Sequence, residues 1–263
     1  MKGADFLKFI LSLVVVWIHT GTSSLYGLTS VAVPVFFVLS GFFLFKKNDV
    51  TPWLGKTLRL YLVWTIIFLP YAIWGFAQDG TSFLKSTAIW LRNVLFVGQN
   101  YLSWPLWYLL GMLQAGIIIW IAHKIRLPFW GLCILAAILF AIPYFIDLES
   151  NRIYSLTFRF AHNGIFWGFP FMVLGGVIRK LFPRLSGWTA GSWQQKAGLV
   201  FRYYSIHIYL THMLWAGLLT LFFGLERSLL YWGLTCIIAI LTGLLISRRN
   251  KLVEFLYGRT FRV

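Results

Sequence analysis

Charged residues are scarce in this chain of 263 residues: 11% are charged, whereas 59% are hydrophobic. A soluble domain ordinarily carries about 25% charged residues, so this composition excludes an ordinary soluble core. Acidic residues are the scarcest, with 7 Asp and Glu against 23 Lys and Arg. The resulting net charge of +16 does not indicate a nucleic-acid partner, because the basic residues stand between apolar runs and form no basic recognition helix. We therefore expect a helical membrane protein that binds no nucleic acid.

Cysteine is also scarce. The two cysteines, Cys133 and Cys236, stand inside apolar runs and form no cluster with the spacing of metal ligands. A disulfide framework or a zinc site therefore has no basis in the sequence. We expect both cysteines to be packing residues, and we expect no bound metal.

Long apolar runs dominate the chain. Eight of them are long enough, or nearly so, to span a membrane as helices: residues 4–19, 31–45, 57–77, 103–123, 128–146, 164–181, 205–223 and 228–247. The first run lacks the small-residue exit site of a signal peptide, so we expect it to remain as a span. A ninth apolar segment, 83–97, contains Lys85 and Arg92 and predicts an interfacial or re-entrant helix. The predicted fold class is all-α: a single transmembrane bundle over residues 1–263, with about eight spans plus that one interfacial or re-entrant helix.

The basic residues predict the orientation of the bundle. When the spans are alternated across the membrane, eighteen Lys and Arg fall on one side and five on the other, which together are the 23 in the chain. By the positive-inside rule both termini are cytoplasmic. We therefore expect a multi-pass protein of the cell inner (plasma) membrane, with Lys8 toward the cytoplasm and His19 at the outer end of its helix.

The first run carries the most informative pair of residues. Lys8 and His19 are eleven residues apart, which puts them within about 20° of each other on one helix face and roughly 16 Å apart along the axis. Ionisable residues inside a membrane are functional-site candidates by default. Asp5 is spaced to pair with Lys8 one turn later. One face of this helix can thus hold a cation toward one side of the membrane and a proton-transfer group toward the other.

Five further motifs follow in order. They are Phe36-Phe37-x-x-Ser40-Gly41-Phe42, Lys56-x-x-Arg59, Trp104-Pro-Leu-Trp107, Asn163-Gly164 with Phe169-Pro through Gly175, and Ser205-x-x-Ile-Tyr-Leu-x-His212. Together with the Lys8 and His19 pair, these motifs resemble the integral-membrane acyltransferase 3 family, whose members O-acylate glycans and some small molecules. Members commonly have about ten spans. Between Leu181 and Arg202 this chain passes almost directly to the next span, so we expect it to be shortened by about one pair of helices.

The resemblance implies a membrane O-acyltransferase that uses acetyl-CoA, or another acyl-CoA, as the cytoplasmic donor. The acceptor would be a hydroxyl of an extracytoplasmic glycan or lipid-linked saccharide, as in polysaccharide O-acetylation in the cell envelope. His19 would be the catalytic residue, because imidazole titrates near neutral pH and can take the hydroxyl proton. Whether it also carries the acyl group stays open. Lys8 would assist it by polarising the thioester.

The resemblance also assigns binding roles. Lys8, Lys56 and Arg59 would bind the phosphates of the donor, and Ser40 would let its arm pass close to the backbone. Substrate-binding residues would be Trp104 and Trp107, which can stack on sugars, Arg92 and Arg159, which can contact a phosphate or carboxylate, and His212, which would line the path near mid-membrane. Each also has a structural interpretation. Basic residues at span ends follow from topology, tryptophans form interfacial belts, and small residues allow helices to approach.

A second function class stays open. The short connection between the sixth and seventh spans favours a non-catalytic membrane protein, either a permease or a degenerate relative of the acyltransferases. Lys8, His19, Lys56 and Arg59 favour the enzyme. The lipid bilayer is an expected partner in both cases, and formation of a homo-oligomer is left open.

Overall fold

The computed structural model describes residues 2–22, 25–47, 49–78, 80–98, 100, 103–149, 163–183 and 192–261. Every regular element among these residues is helical, which confirms the predicted all-α class. The α-helices are α1 Lys2–Thr20, α2 Tyr26–Thr29, α3 Ala32–Leu44, α4 Thr51–Ile67, α5 Leu69–Gln78, α6 Phe83–Arg92, α7 Leu106–Lys124, α8 Phe129–Glu149, α9 Phe169–Leu181, α10 Ser192–Phe223, α11 Leu229–Ser247 and α12 Asn250–Tyr257. Two π-helical turns, Asn93–Val97 and Gly164–Gly168, and a 3-10 turn, Arg259–Phe261, complete the described elements.

All eight apolar runs are helical, but they differ in length. Five segments are long and apolar enough to cross a membrane: Gly3–Thr20, Leu106–Lys124, Gly164–Leu181, Ala197–Phe223 and Leu229–Ser247. The pair α4 and α5 makes a sixth if it is counted as one span, and two apolar helices, Ala32–Leu44 and Phe129–Pro143, are shorter. The chain is thus a multi-pass membrane protein. The count of eight crossings and the side on which the termini lie stay predictions.

The third predicted span, 57–77, is not one straight helix. It bends by 47° between α4 and α5. Pro70 explains the break, because proline lacks the N–H that would bond to the carbonyl of Ile66 and its ring crowds that turn. The helix also begins earlier than predicted, at Thr51 rather than at residue 57. Pro52 fits the first turn, and Asp49 accepts a hydrogen bond from the Thr51 N–H, which lowers the pKa of the Asp49 carboxyl.

The segment 83–97 is helical as predicted and does not meet the length of a span. It consists of α6 followed by the π-helical turn Asn93–Val97, which ends at Gly98 with a φ of 76°. The side chain of Ser82 accepts a hydrogen bond from the Lys85 N–H and begins the helix. Phe83 and Leu84 at its start are largely exposed, which is consistent with an interfacial helix.

The chain divides into two compact units. The first comprises Met1–Phe36 and Arg184–Val263. Within it, α1 and α10 run parallel, because Asp5 near the start of α1 contacts Arg202 in α10, and His19 contacts His212 further along both helices. Helix α11 runs antiparallel to α1. Trp232 near its start donates to the carbonyl of Leu13 at 3.0 Å, and the Ser228 N–H donates to Thr20 at 3.0 Å.

The core of the first unit lies between these three helices. Val16, Ile208, Cys236 and Ala239 are buried together there, so Cys236 is a packing residue as predicted; Cys133, in the second unit, is half-buried. The amphipathic helix α12 docks at one end of this unit through Val253 and Tyr257, which lie one turn apart on its buried face.

The second unit, Phe37–Pro183, contains the remainder of α3 and the elements through α9. Helix α7 is buried along much of its length and packs against α4, α9 and the turn Gly164–Gly168. Helices α3 and α9 approach closely. A Cβ at Gly41 would lie 1.9 Å from the carbonyl oxygen of Met172, and one at Gly175 would lie 2.1 Å from that of Val38. Only glycine permits this separation of the two backbones.

The connection before the seventh apolar run differs from the expectation. The sequence predicts that residues 182–204 connect the sixth and seventh apolar runs, but helix α10 already begins at Ser192. The polar residues after that point extend the helix rather than form a loop. Residues 182–191 alone separate α9 from α10, which is too short for two further spans.

Candidate functional site

A buried ion pair stands near the start of α1. The Asp5 side chain is buried and is held by two nitrogens of Arg202 in α10: Nη2 lies 2.9 Å from Oδ2, and Nε lies 3.3 Å from Oδ1. Lys8 is half-buried one turn after Asp5. The sequence predicts a pairing of Asp5 with Lys8. It does not predict the contact with Arg202, because the positive-inside rule already explains a basic residue near the end of a span. Asp5 therefore has one cation on its own helix, Lys8, and one on α10, Arg202.

His19 and His212 lie together in the same unit. Their ring centroids are 5.3 Å apart, and their planes are inclined by 30°. His212 is completely buried, whereas His19 is half-buried. Both residues are predicted site residues, His19 as the catalytic group and His212 as a residue lining the path. The structure places their imidazoles in contact, which helix periodicity within either segment could not show.

The protonation of His212 follows from its neighbours. Its Nδ1 lies 2.8 Å from the carbonyl oxygen of Tyr209 and 3.2 Å from that of Ile208. A carbonyl oxygen only accepts, so Nδ1 must carry the hydrogen and Nε2 must carry the lone pair. Among the described residues, Nε2 of His212 has no hydrogen-bond partner although it is buried. The first unit therefore holds a buried imidazole nitrogen that is ready to accept a hydrogen bond.

Aromatic rings and a cation surround this pair. Tyr209 packs edge-on against His212 with centroids 6.1 Å apart, and Phe36 packs against Tyr209 at 5.7 Å. The bond from the Ser228 N–H to the Thr20 carbonyl brings the connection between α10 and α11 to the end of α1. Arg227, exposed and next to Ser228, therefore lies beside the same end of the helix as His19.

His207 belongs to a different group of residues. Its Nδ1 lies 2.6 Å from the hydroxyl of Tyr257, and its Nε2 lies 3.2 Å from that of Thr242. Thr242 donates its own hydrogen to the carbonyl of Ile238 at 2.8 Å, so Nε2 is the donating nitrogen and Tyr257 donates to Nδ1. His207 and His212 are five residues apart, a spacing that predicts side chains on different faces of one helix. The structure bears out the two faces.

Ser40 lies in the second unit and is engaged with α7. Its hydroxyl is 3.0 Å from that of Tyr108 and donates toward the sulfur of Met112 at 3.6 Å. Tyr108 is buried and also packs against Phe37, with centroids 4.7 Å apart. Gly41, next to Ser40, makes the close backbone contact with Met172. The structural interpretation of this Ser-Gly pair is therefore confirmed, whereas the role of Ser40 toward a donor stays a prediction.

The other predicted cations and aromatics of the second unit lie at its surface. Lys56 and Arg59 are exposed and are one turn apart on α4, so they project from one face. Arg92 is exposed and donates to Oδ1 of Asn93 at 2.8 and 3.1 Å. Trp104 is 47% exposed, and Trp107 packs against Phe37 at 6.1 Å. Arg159 lies outside the residues that the structure describes.

Gln114 is a polar residue that the sequence does not single out. Its amide nitrogen donates to the carbonyl of Phe96 at 3.1 Å, and its amide oxygen accepts from the Gly164 N–H at 2.9 Å. It therefore links both π-helical turns to α7. Tyr61 adds a further link, since its hydroxyl donates to the carbonyl of Val94 at 2.5 Å. A lone glutamine in an apolar run is the one signal in the sequence that could have indicated this role.

Comparisons with known proteins bear on this arrangement. A family model described as an acyltransferase domain, that of acyltransferase 3, matches residues 1–201. Arg202, His207 and His212 lie beyond the end of that match. An amino-acid racemase of Enterococcus faecalis is 29% identical over 204 residues, covering 67% of this chain and 28% of that protein. A serine/alanine racemase of Enterococcus gallinarum is 29% identical over 210 residues, covering 68% of this chain and 29% of that protein.

The chain thus spans less than a third of the length of these two curated relatives. No solved structure matches it.

Proposed function

This chain belongs to the acyltransferase 3 family, and from that premise we propose that it moves an acyl group across the inner (plasma) membrane. The donor is cytoplasmic acyl-CoA, with acetyl as the acyl group. The acceptor is a hydroxyl of an extracytoplasmic glycan or of a lipid-linked saccharide. The reaction forms an ester on the acceptor and releases the thiol of the carrier.

The contact between His19 and His212 is the observation that carries this proposal. Transfer to a hydroxyl requires a group that takes the hydroxyl proton as the new ester bond forms. The two imidazoles, with centroids 5.3 Å apart in the first unit, provide such groups at the end of α1 where the proposed topology puts the acceptor. The other end of α1 carries Lys8 beside the pair of Asp5 and Arg202. The same helix thus has cations at one end and an imidazole at the other.

Cations with suitable chemistry are available for the donor. Lys56 and Arg59 present an ammonium and a guanidinium from one exposed face of α4, and such groups bind phosphates as a point charge and as a planar fork. In the first unit, Arg202 remains 42% exposed while it holds Asp5, so its guanidinium is accessible from one side. Lys56 and Arg59 on the second unit, and Arg202 on the first, each offer chemistry that suits the phosphates of the carrier.

Acceptor recognition is assigned to the exposed residues on the opposite side. Trp104 offers an accessible indole face for a sugar ring, and Arg92 offers a guanidinium that Asn93 holds in place. The sequence also assigns Trp107, Arg159 and the buried His212 to acceptor binding, and these assignments stay predictions. Glycans carry both hydroxyls and, in many polymers, phosphate or carboxylate groups, so this combination of aromatic and basic side chains suits that class.

The test is vectorial transfer. Inverted membrane vesicles expose the cytoplasmic face, so labelled acetyl-CoA is added outside and acceptor glycans from the cell envelope are enclosed within. We expect label to accumulate on the enclosed glycan in vesicles with the protein and not in matched vesicles without it. Absence of protein-dependent label on any enclosed saccharide would contradict the proposal.

A second candidate is a permease. Two curated relatives are named as racemases, and the matching segment is less than a third of each, so the remainder of those proteins is free to carry the named activity while the shared segment does something else. A membrane segment that moves an amino acid would suit proteins with such names. The discriminating observation is uptake of labelled serine or alanine into proteoliposomes without any acyl donor. Uptake without acyl transfer would favour this candidate.

A further inference from the structure

We propose that His212 is the residue that takes the proton from the acceptor hydroxyl, acting through its Nε2 atom. This inference rests on the proposed acyl transfer and makes it more specific. It concerns a residue that lies beyond the family match, which ends at residue 201. The sequence makes His212 a residue that lines the path, and the family resemblance leaves proton removal to His19.

The His212 ring is held in one orientation by its own helix. Two carbonyls of its own helix, those of Tyr209 and Ile208, hold the Nδ1 hydrogen at 2.8 and 3.2 Å. The ring is therefore fixed in one tautomer, with the lone pair on Nε2. A general base of the imidazole type needs this arrangement, in which one nitrogen is anchored through its hydrogen while the other is free to accept.

The Nε2 atom of His212 lacks a hydrogen-bond partner among the described residues. The His212 side chain has no exposed surface. An unsatisfied buried acceptor is costly, so a native protein seldom keeps one without a use. His19 lies against the same ring but is not hydrogen-bonded to this nitrogen. A ligand hydroxyl would supply the missing donor.

The surroundings of His212 suit the positive charge that develops on its ring during the reaction. When His212 takes the proton it becomes an imidazolium. The carbonyl oxygens of Tyr209 and Ile208 already point at its Nδ1 hydrogen, so their dipoles stabilise this charge without rearrangement. His19 must stay neutral at that moment, because two imidazolium rings with centroids 5.3 Å apart would repel each other.

Acyl transfer breaks two bonds and forms two. The acceptor O–H bond breaks and its proton moves to Nε2 of His212, while the oxygen bonds to the acyl carbon. The bond from that carbon to sulfur then breaks, and the electron pair leaves on the thiolate. The imidazolium returns its proton to the thiolate. The products are the O-acyl ester and the free thiol, and His212 regains its starting tautomer.

The first experiment reads the tautomer directly. Protein labelled with ¹⁵N-histidine is reconstituted in lipid, and the signals of His212 are assigned by comparison with a His212→Asn variant. We expect the proton on Nδ1 and an unprotonated Nε2. A proton on Nε2 would overturn the assignment, whether or not the protein transfers acyl groups.

The second experiment measures transfer. Asparagine keeps an N–H donor near the position of Nδ1 but has no atom at Nε2, so His212→Asn should fold while it loses the base. We expect kcat to fall about 10²–10⁴-fold while the KM for acetyl-CoA and the thermal stability are kept. His123→Asn, at an exposed histidine near the end of α7, is the matched control and should transfer as the wild type does.

The outcomes separate the two proposals. Wild-type kcat in His212→Asn, with transfer intact, would overturn the role of His212 and leave the acyltransferase standing. Absence of transfer in the wild type would overturn the proposed function, and the catalytic role of His212 with it. In that case the NMR result still reports on the tautomer alone.

Discussion

Arg202 holds Asp5 through both Nη2 and Nε, 197 residues away along the chain. The pair joins α10 to the start of α1, and His19 contacts His212 further along the same two helices. One helix pair therefore positions the ion pair and the imidazole pair together. A substitution in the ion pair is therefore expected to affect the imidazole pair only if it shifts α10 along α1.

The ion pair is expected to stabilise the first unit. Arg202→Gln leaves the buried carboxylate of Asp5 without its two donors, which costs about 1–3 kcal/mol in the free energy of unfolding. The double variant Asp5→Asn with Arg202→Gln removes the uncompensated charge and should recover part of that loss. Unfolding in mixed detergent micelles measures each variant. Additive losses in the double variant would contradict a direct pairing.

The close approach of α3 and α9 is expected to tolerate no side chain at Gly41. A Cβ there would lie 1.9 Å from the carbonyl of Met172, so Gly41→Ala forces the two backbones apart and costs about 1–3 kcal/mol. Gly233→Ala is the matched control, because nothing lies within 4 Å of a Cβ at that position of α11. It should be neutral or slightly stabilising. Equal thermal stability of the two variants would contradict the described packing.

The anchoring of α12 is expected to depend on pH. Burial raises the pKa of Tyr257 well above its ordinary value, so the folded state keeps the phenol protonated where the unfolded chain loses its proton, from about pH 10 upward. The stabilisation is therefore complete below pH 10 and is lost as the pH rises beyond it.

The measurement compares wild type with Tyr257→Phe, which also removes the hydrogen bond to Nδ1 of His207. At neutral pH the variant should be less stable by about 1–3 kcal/mol. Above pH 10 the difference should shrink, since only the wild type loses stability through this group. A difference that stays constant with pH would contradict the assignment.

Lys56 and Arg59 are expected to act on donor binding and not on chemistry. Replacing either by glutamine should raise the KM for acetyl-CoA about tenfold, equivalent to about 1.4 kcal/mol, while kcat is kept. The effect should weaken at high salt, because both side chains are exposed. Lys85→Gln, at an exposed lysine of α6 that is predicted to face the other side, is the control. An equal rise in KM for that variant would argue against a donor site on α4.

The sequence predicts the helices well and their ends less well. Hydrophobic periodicity and length identify all eight apolar helices, because membrane spans must satisfy their own backbone hydrogen bonds. Individual residues determine where the helices begin and end. Pro70 breaks a predicted span, Pro52 allows α4 to begin at Thr51, and α10 extends back to Ser192 through residues polar enough to look like a loop.

The candidate site is only partly readable in the sequence. His19 and His212 are both singled out, but their contact depends on α1 and α10 lying parallel although the two residues are 193 positions apart, which no local pattern encodes. The sequence does not distinguish Arg202, because the positive-inside rule explains any basic residue near the end of a span. The tautomer of His212 depends on two carbonyls of its own helix and becomes visible only when the side chain is placed.

The central claim is that the imidazole pair of His19 and His212 carries out transfer from a donor bound on the opposite side. Labelled acetyl-CoA is supplied to inverted vesicles containing equal amounts of wild type or His19→Ala, with the His123→Ala variant as a control for loss of an exposed histidine. The account predicts that label on the enclosed glycan falls about 10²–10⁴-fold for His19→Ala and is unchanged for His123→Ala. Equal incorporation by wild type and His19→Ala would contradict it.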